Sequence, residues 1–214
     1  MTLPLDPIAL LQRELARLPL VAILRGLPPA DAPAIGQALV DAGFGLLEVP
    51  LNSPQPLQSI AMLAAQHPQC LVGAGTVLRA AEVREVQAAG GRLIVSPHFD
   101  PEVVREAVRL GLACVPGVAT PSEAFAALAA GAHALKLFPA ELLTPAVVKA
   151  LRAVLPPALA LLPVGGIGPH NMAQYRRAGA SGFGIGSALY APGQSAAQTR
   201  AAAHTFIDTW STLT

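Results

Sequence analysis

Short runs of consecutive apolar residues recur along the whole chain, with an Ala-rich amphipathic segment between most of them. Each run is continuous rather than alternating in its apolarity, which is typical of strands that are buried on both faces of a parallel sheet. Eight runs fit this description, at 21–24, 46–51, 71–74, 93–95, 113–115, 134–138, 161–164 and 182–185.

The intervening segments carry the start and stop signals of helices. Several end beside a glycine that follows alanine, at Gly43, Gly90, Gly131 and Gly179. Glycine adopts the left-handed backbone conformation of a helix C-cap at little steric cost. Helices are therefore predicted at 31–42, 80–89, 100–110, 121–130, 145–154 and 170–178, with a closing helix at 201–210.

Alternating strands and helices predict an α/β fold. Eight strand–helix units favour a (β/α)8 TIM barrel, formed as one domain over 1–214, with 6–17 as an extra helix at the amino-terminal end of the barrel. An open doubly wound sheet fits the same alternation, but no dinucleotide-binding glycine motif follows the first strand. In a TIM barrel the chemistry lies at the carboxyl ends of the strands.

Composition and charge argue against several classes of protein. The chain has 214 residues, is 53% hydrophobic and has a formal net charge of +1, which argues against charge-driven binding to nucleic acid or to a membrane surface. No apolar run approaches the ~18 residues of a membrane helix, and the start of the chain lacks signal-peptide features. Two cysteines make no disulfide framework, so a cytoplasmic protein is expected. The high apolarity is consistent with a buried oligomer surface or simply with many alanines.

Three charged residues fall on or beside strands that should be apolar: Lys136, Glu48 and Arg25. Burial favours the neutral amine of a lysine, which can attack a carbonyl group to form a Schiff base. Glu48 could be a general acid and base or only the salt-bridge partner of Lys136. Arg25 could bind a ligand carboxylate or phosphate, although a loop role is commoner for a single arginine.

Glycines at the ends of the seventh and eighth strands indicate a phosphate site. Gly165 and Gly166 end one strand, and Gly186 and Ser187 end the next. Loops at these two positions bind phosphate in many TIM barrels, because glycine lets backbone N–H groups approach an anion. Thr76 and Pro97 also follow strands, although Thr76 could merely cap a helix.

The histidines and cysteines form no cluster with metal-ligand spacing, so no metal site is expected.

Eight short motifs, in this order and spacing, closely resemble the small class I aldolases that act on 2-keto-3-deoxy-6-phospho sugar acids, the KDPG/KHG aldolase family. The resemblance covers the chain from about Leu20 to the last helix. The motifs are ILRG at 23–26, EVPLNSP at 48–54, GAGTV at 73–77, IVSP at 94–97, PG at 116–117, LKLFP at 135–139, VGG at 164–166 and GS at 186–187.

Two places in the sequence, a four-residue segment and a single residue, separate the branches of this family. Members that cleave the phosphogluconate substrate usually have Thr-Leu-Arg-Thr after the Glu-Val pair and Thr before the Gly-Gly pair. Here the corresponding residues are Pro50 to Ser53 and Val164, which resemble the branch that cleaves the phosphogalactonate epimer. Asn52 replaces the arginine of the phosphogluconate branch, so Arg25 is expected to take a larger share in carboxylate binding.

The resemblance implies a cofactor-independent lyase that releases pyruvate and D-glyceraldehyde 3-phosphate. Lys136 would form the Schiff base and Glu48 would move protons. Arg25, Asn52 and Thr76 would orient the acid end of the substrate, Pro97 and Phe138 would wall the pyruvyl group, and Val164 would face the C4 hydroxyl. The resemblance also implies a homotrimer.

Other functions remain open at this point. One is the phosphogluconate specificity, or a dual specificity, within the same family. Another is a transferase similar to thiamine-phosphate synthase, although no carboxylate cluster for magnesium is evident. A third is a non-catalytic sugar-phosphate sensor, which would have no need of Lys136 or Glu48.

Overall fold

The computed structural model describes residues 6–213. Residues 1–5 and 214, which the one-domain prediction includes, lie outside the described part. The helices are α1 (Pro7–Arg17), α2 (Ala32–Ala42), α3 (Pro56–Gln66), α4 (Ala80–Ala88), α5 (Pro101–Arg109), α6 (Pro121–Ala129), α7 (Pro145–Val154), α8 (Pro169–Arg177) and α9 (Ala196–Ser211). The strands are β1 (Leu20–Ile23), β2 (Leu46–Pro50), β3 (Leu71–Gly75), β4 (Leu93–Val95), β5 (Ala113–Val115), β6 (Gly117–Val118), β7 (Leu135–Leu137), β8 (Leu161–Pro163) and β9 (Phe183–Ile185).

Local sequence signals account for the helix ends. Asp6 accepts a hydrogen bond from the Ala9 N–H at the start of α1, and Asp100 accepts one from the Glu102 N–H at the start of α5. These contacts satisfy N–H groups that have no partner inside the helix. Glycines with positive φ follow α2, α4, α6 and α8, as the recurrent Ala-Gly stops predict, and Gly111 with positive φ follows α5.

All eight predicted strands are present and pair in parallel, so the α/β class is confirmed. The strands form two sheets, whereas the sequence predicts a single sheet of eight strands. One sheet has six strands in the order β5-β4-β3-β2-β1-β9, and a second has three in the order β6-β7-β8. The additional strand arises because Pro116, which has no N–H group, separates β5 from β6.

The two sheets meet at two places. The segment 113–118 pairs with β4 through its first half and with β7 through its second half. At the other side a parallel bridge joins Val164, just after β8, to Gly184 of β9. The six-stranded sheet therefore meets the three-stranded sheet at both of its edge strands.

The apolar interior has two parts. A larger core fills the space between the strands and the outer helices. A smaller core inside the curved strands includes Leu10 and Leu11 of α1, which pack with the first residues of several strands. The helix predicted at 6–17 thus covers the amino-terminal ends of the strands and leaves their carboxyl ends open. Within residues 6–213 no helix has both the length and the apolarity needed to cross a bilayer.

Candidate active site

Lys136 is the central residue of β7 and pairs with Gly117 of β6 and Leu162 of β8. Its side chain is buried, with only 5% of the residue exposed, and its Nζ lies 4.8 Å from the centre of the Phe138 ring. Burial lowers the pKa of Lys136 below that of an ordinary lysine; the charge of Glu48 opposes this shift and that of Arg25 adds to it. This environment favours the neutral, nucleophilic amine.

Glu48, like Lys136, is a charged residue on a buried strand. It lies on β2 and pairs with Ile23 of β1 and Gly73 of β3. The residue is 1% exposed, and within residues 6–213 its Oε2 has no hydrogen-bond partner. Burial raises the pKa of Glu48, while the positive charges of Lys136 and Arg25 lower it. A buried carboxyl group with a raised pKa is suited to exchanging protons with a bound molecule.

Both side chains line one inner cavity of about 20 Å³, a volume sufficient for a water molecule. The rest of its wall is apolar and consists of Leu11, Val21, Ile23, Leu93, Val95, Val115, Leu162, Val164 and Gly184. Lys136 also lines the larger pocket outside this cavity. The lysine side chain therefore lies at the boundary between a largely apolar inner cavity and the larger pocket.

The larger pocket, of about 460 Å³, opens at the carboxyl ends of β1, β7, β8 and β9. It brings together eight of the residues predicted from the sequence: Arg25, Lys136, Phe138, Val164, Gly165, Gly166, Gly186 and Ser187. Its wall also contains the start of α8, including Gly168 and His170, and the side chain of Glu141. Glu141 was not among the site residues predicted from the sequence, although this residue lies only two positions after Pro139, just beyond β7.

One side of this pocket has the geometry of an anion cradle. Gly165 and Gly166 have φ values of +108° and +61°, a conformation that glycine adopts without strain. Within residues 6–213, no acceptor is hydrogen-bonded to the backbone N–H groups of Gly166, Ile167, Ser187 and Ala188. Unpaired N–H groups in such a turn, beside the amino-terminal end of a helix, attract anions.

The loops after β1 and β2 are joined by two hydrogen bonds. The Arg25 guanidinium donates to Asn52 Oδ1 at 2.7 Å, and the Gly26 N–H donates to the buried Ser53 Oγ at 2.9 Å. Asn52 therefore orients Arg25 toward the pocket without lining it. Ser53 belongs to the motif at 48–54, but its position in the sequence gives no indication of this contact.

Thr76 and Pro97 follow β3 and β4 at the same end of the strands, but neither lines the inner cavity or the larger pocket. Thr76 is partly exposed and has a φ of +57°, which is unusual for a residue other than glycine. Pro97 packs beside Gly117, where a Cβ atom would come within 2.5 Å of the Pro97 carbonyl.

No cluster of three or more histidine, cysteine, aspartate or glutamate side chains in the described residues is placed to hold a metal ion. Cys70 and Cys114 are free and buried. Burial raises the pKa of Cys70 to about 11 and that of Cys114 to about 12. Both thiols are therefore protonated near neutral pH and are poor nucleophiles.

Comparison with known proteins places this geometry in a family. Residues 11–201 match the family model described as KDPG and KHG aldolase. The probable 2-dehydro-3-deoxy-6-phosphogalactonate aldolase of Rhizobium meliloti is 50% identical over 85% of this chain and 86% of its own length. The 2-dehydro-3-deoxy-6-phosphogalactonate aldolase of Escherichia coli is 49% identical over 89% of this chain and 94% of its own length.

A solved structure described as native KDPGal superposes with a TM-score of 0.90, at 46% identity, over 92% of this chain and 96% of that one. Relatives named for phosphogluconate are more distant, at 33–35% identity. The chain belongs to the KDPG and KHG aldolases, a family of carbon–carbon lyases, as its motifs indicated.

Proposed function

We propose that the protein is a class I aldolase that reversibly cleaves 2-dehydro-3-deoxy-6-phospho-D-galactonate to pyruvate and D-glyceraldehyde 3-phosphate. The observation that carries the proposal is a buried lysine, Lys136, that lines the same largely apolar cavity as Glu48, whose Oε2 has no hydrogen-bond partner within residues 6–213. The names of the relatives at 49–50% identity support the choice of substrate.

The neutral amine of Lys136 attacks the C2 ketone of the substrate. Loss of water then leaves an iminium ion, which draws electrons from the C3–C4 bond. Glu48, directly or through a water, accepts the proton of the C4 hydroxyl as this bond breaks and the aldehyde leaves. The electron pair forms an enamine, Glu48 returns a proton to C3, and hydrolysis of the resulting iminium ion releases pyruvate and the amine.

The larger pocket supplies the binding groups of this proposal. Gly165, Gly166, Gly186 and Ser187 hold the phosphate through backbone N–H groups and the serine hydroxyl. Arg25, oriented by Asn52, binds the substrate carboxylate. In the same proposal Thr76 assists at the acid end, Pro97 and Phe138 wall the pyruvyl group, and Val164 faces C4.

Val164 is the residue on which the epimer preference depends most directly. It lines both the inner cavity and the larger pocket, and its side chain offers no hydrogen bond. A site built to hydrogen-bond a hydroxyl rejects the other epimer strongly, whereas an apolar site discriminates less. We therefore expect measurable turnover of the gluconate epimer, while the names of the relatives at 49–50% identity favour the galactonate epimer as the preferred substrate.

We further infer that the two sheets form one closed (β/α)8 barrel, because they meet at Pro116 and at the bridge between Val164 and Gly184. In this proposal the chain is a single domain in a cytoplasmic homotrimer. It needs no cofactor and binds neither nucleic acid nor membrane.

Trapping of the Schiff base tests the proposal. Borohydride added with pyruvate should attach a reduced pyruvyl group to Lys136, located by peptide mass spectrometry. The chain has two lysines, so Lys149→Ala on the exposed face of α7 is a matched control that should keep both adduct and turnover. Lys136→Ala should lose both.

An active enzyme that forms no adduct would refute the Schiff base, and a protein that binds ligand without turnover would be a sensor. Values of kcat/KM for the two C4 epimers, measured by coupled pyruvate release, decide the substrate.

A further inference from the structure

Glu141 places a negative charge beside the cradle proposed to bind phosphate. A Cβ atom at Gly165 would overlap Glu141 Oε2, and one at Gly166 would lie 3.1 Å from Glu141 Cγ. The carboxylate therefore rests against the glycine turn itself. Glu141 forms no salt bridge with any of residues 6–213, and it is the acidic residue in the wall of the larger pocket.

The backbone just before Glu141 is held firmly. The Ala140 N–H donates to the Val164 carbonyl at 2.8 Å, and the hydroxyl of the buried Tyr175 donates to the Ala140 carbonyl at 2.7 Å. Residue 140 is thus fixed at both of its backbone polar groups, to the residue just after β8 on one side and to α8 on the other. This anchoring keeps the Glu141 side chain close to the cradle although the residue is solvent-exposed.

A carboxylate and a phosphate group cannot share one small anion site, because their like charges repel. A free anion in solution has only its contacts with the cradle to offset this repulsion. A substrate already attached to Lys136 presents its phosphate intramolecularly, at an effective concentration on the millimolar scale or above, and so offsets the repulsion more readily.

We infer that the Glu141 carboxylate, held against the glycine turn without occupying its N–H groups, repels anions from the phosphate cradle, so that free inorganic phosphate binds poorly while the phosphate of a substrate anchored on Lys136 still binds. The inference rests on the proposed function, because it takes the Gly165–Gly166 cradle as the phosphate site. Its consequence is selectivity: the enzyme binds phosphorylated keto acids without being saturated by inorganic phosphate.

The test is the affinity for inorganic phosphate of the wild type and of Glu141→Gln, measured by isothermal titration calorimetry, which requires no turnover. Removal of the repelling charge should tighten phosphate binding about tenfold. Inhibition of turnover by inorganic phosphate should strengthen in parallel, and the KM of the phosphorylated substrate should fall. Glu85→Gln on α4 removes one exposed negative charge elsewhere and should change none of these values.

Two results would overturn the inference: an unchanged phosphate affinity in Glu141→Gln, or a weaker one, which would make Glu141 a ligand-binding group. Trapping of pyruvate on Lys136 verifies that the variant retains its active fold.

Gly186→Asp separates this inference from the proposed function. A Cβ atom at Gly186 meets no atom within 4 Å, so a side chain can start there, and the added carboxylate should repel phosphate. If Gly186→Asp weakens binding of inorganic phosphate and of the phosphorylated substrate while Glu141→Gln has no effect, only the repulsive role of Glu141 is wrong. If Gly186→Asp has no effect, the phosphate site itself is wrong.

Discussion

A Cβ atom at Gly75 would lie 2.7 Å from Glu48 Oε1, so the carboxylate occupies the space that any other side chain at position 75 would need. Glu48 is paired in register with Gly73, two residues earlier on β3, and its carboxyl group therefore leans toward the carboxyl end of the strand. The absence of a side chain at Gly75 thus positions the proposed acid and base.

Gly75→Ala should displace the Glu48 carboxyl group and lower kcat by up to about 10²-fold, since small errors in the position of a catalytic group are costly. Steady-state kinetics with the phosphorylated substrate measures the loss. Gly75→Ala combined with Glu48→Asp, whose side chain is shorter by one methylene, should recover part of it. A wild-type kcat in Gly75→Ala would show that this contact does not position the carboxyl group.

The pH dependence of pyruvate trapping should move in opposite directions in two variants. Adduct formation needs the neutral amine, so its rate rises with pH through the lowered pKa of Lys136. The negative charge of Glu48 raises the pKa of Lys136 and the positive charge of Arg25 lowers it. Glu48→Gln should therefore shift the midpoint of the rate–pH curve to lower pH, and Arg25→Met should shift it to higher pH.

Shifts in the same direction would contradict this electrostatic account. Glu48→Gln should also slow turnover by about 10²–10⁴-fold while still forming the adduct, because proton transfer to and from the substrate is lost. A variant with an unchanged rate would reduce Glu48 to a structural partner of Lys136.

The strands could be predicted because burial on both faces leaves a continuous apolar run, which is visible in one sequence. Helix α3 (Pro56–Gln66) was not predicted. The residue before it, Gln55, is not one of the usual N-cap residues, and no glycine ends the helix. Lys136 and Glu48 stood out as charges on apolar strands. Gly75 and Glu141 did not, because their roles depend on which distant backbone turn or side chain lies beside them, and spacing in the sequence does not encode that proximity.

Val164→Thr should shift the ratio of kcat/KM values toward the gluconate epimer by about tenfold, since a hydroxyl donor that meets one C4 configuration is worth about 1–3 kcal/mol. Val164 and threonine have nearly the same shape, so the pocket should keep its volume. Val115→Thr is the control, because Val115 lines the inner cavity but not the larger pocket. An equal shift in both variants would mean that buried polarity in general, and not position 164, sets the preference.

Asn52→Ala removes the 2.7 Å hydrogen bond to Arg25 and should raise the KM of the substrate about fivefold with little change in kcat, as expected for the loss of one hydrogen bond. The effect should disappear in an Arg25→Met background, because Asn52 acts only through the guanidinium group. Steady-state kinetics on the two single variants and the double variant tests this coupling. Additive effects would assign Asn52 a role of its own.

Leu11 of α1 reaches the wall of the cavity that contains Lys136 and Glu48, although it precedes the first strand. The surroundings of the amine therefore depend on a helix none of whose residues lines the larger pocket. An affinity tag or fusion partner that loosens this helix would admit solvent through the amino-terminal ends of the strands. The pKa of Lys136 would then return toward that of an ordinary lysine, and the amine would be protonated. Such a preparation would look correctly assembled by spectroscopy yet be a poor catalyst, so tags are better attached after α9.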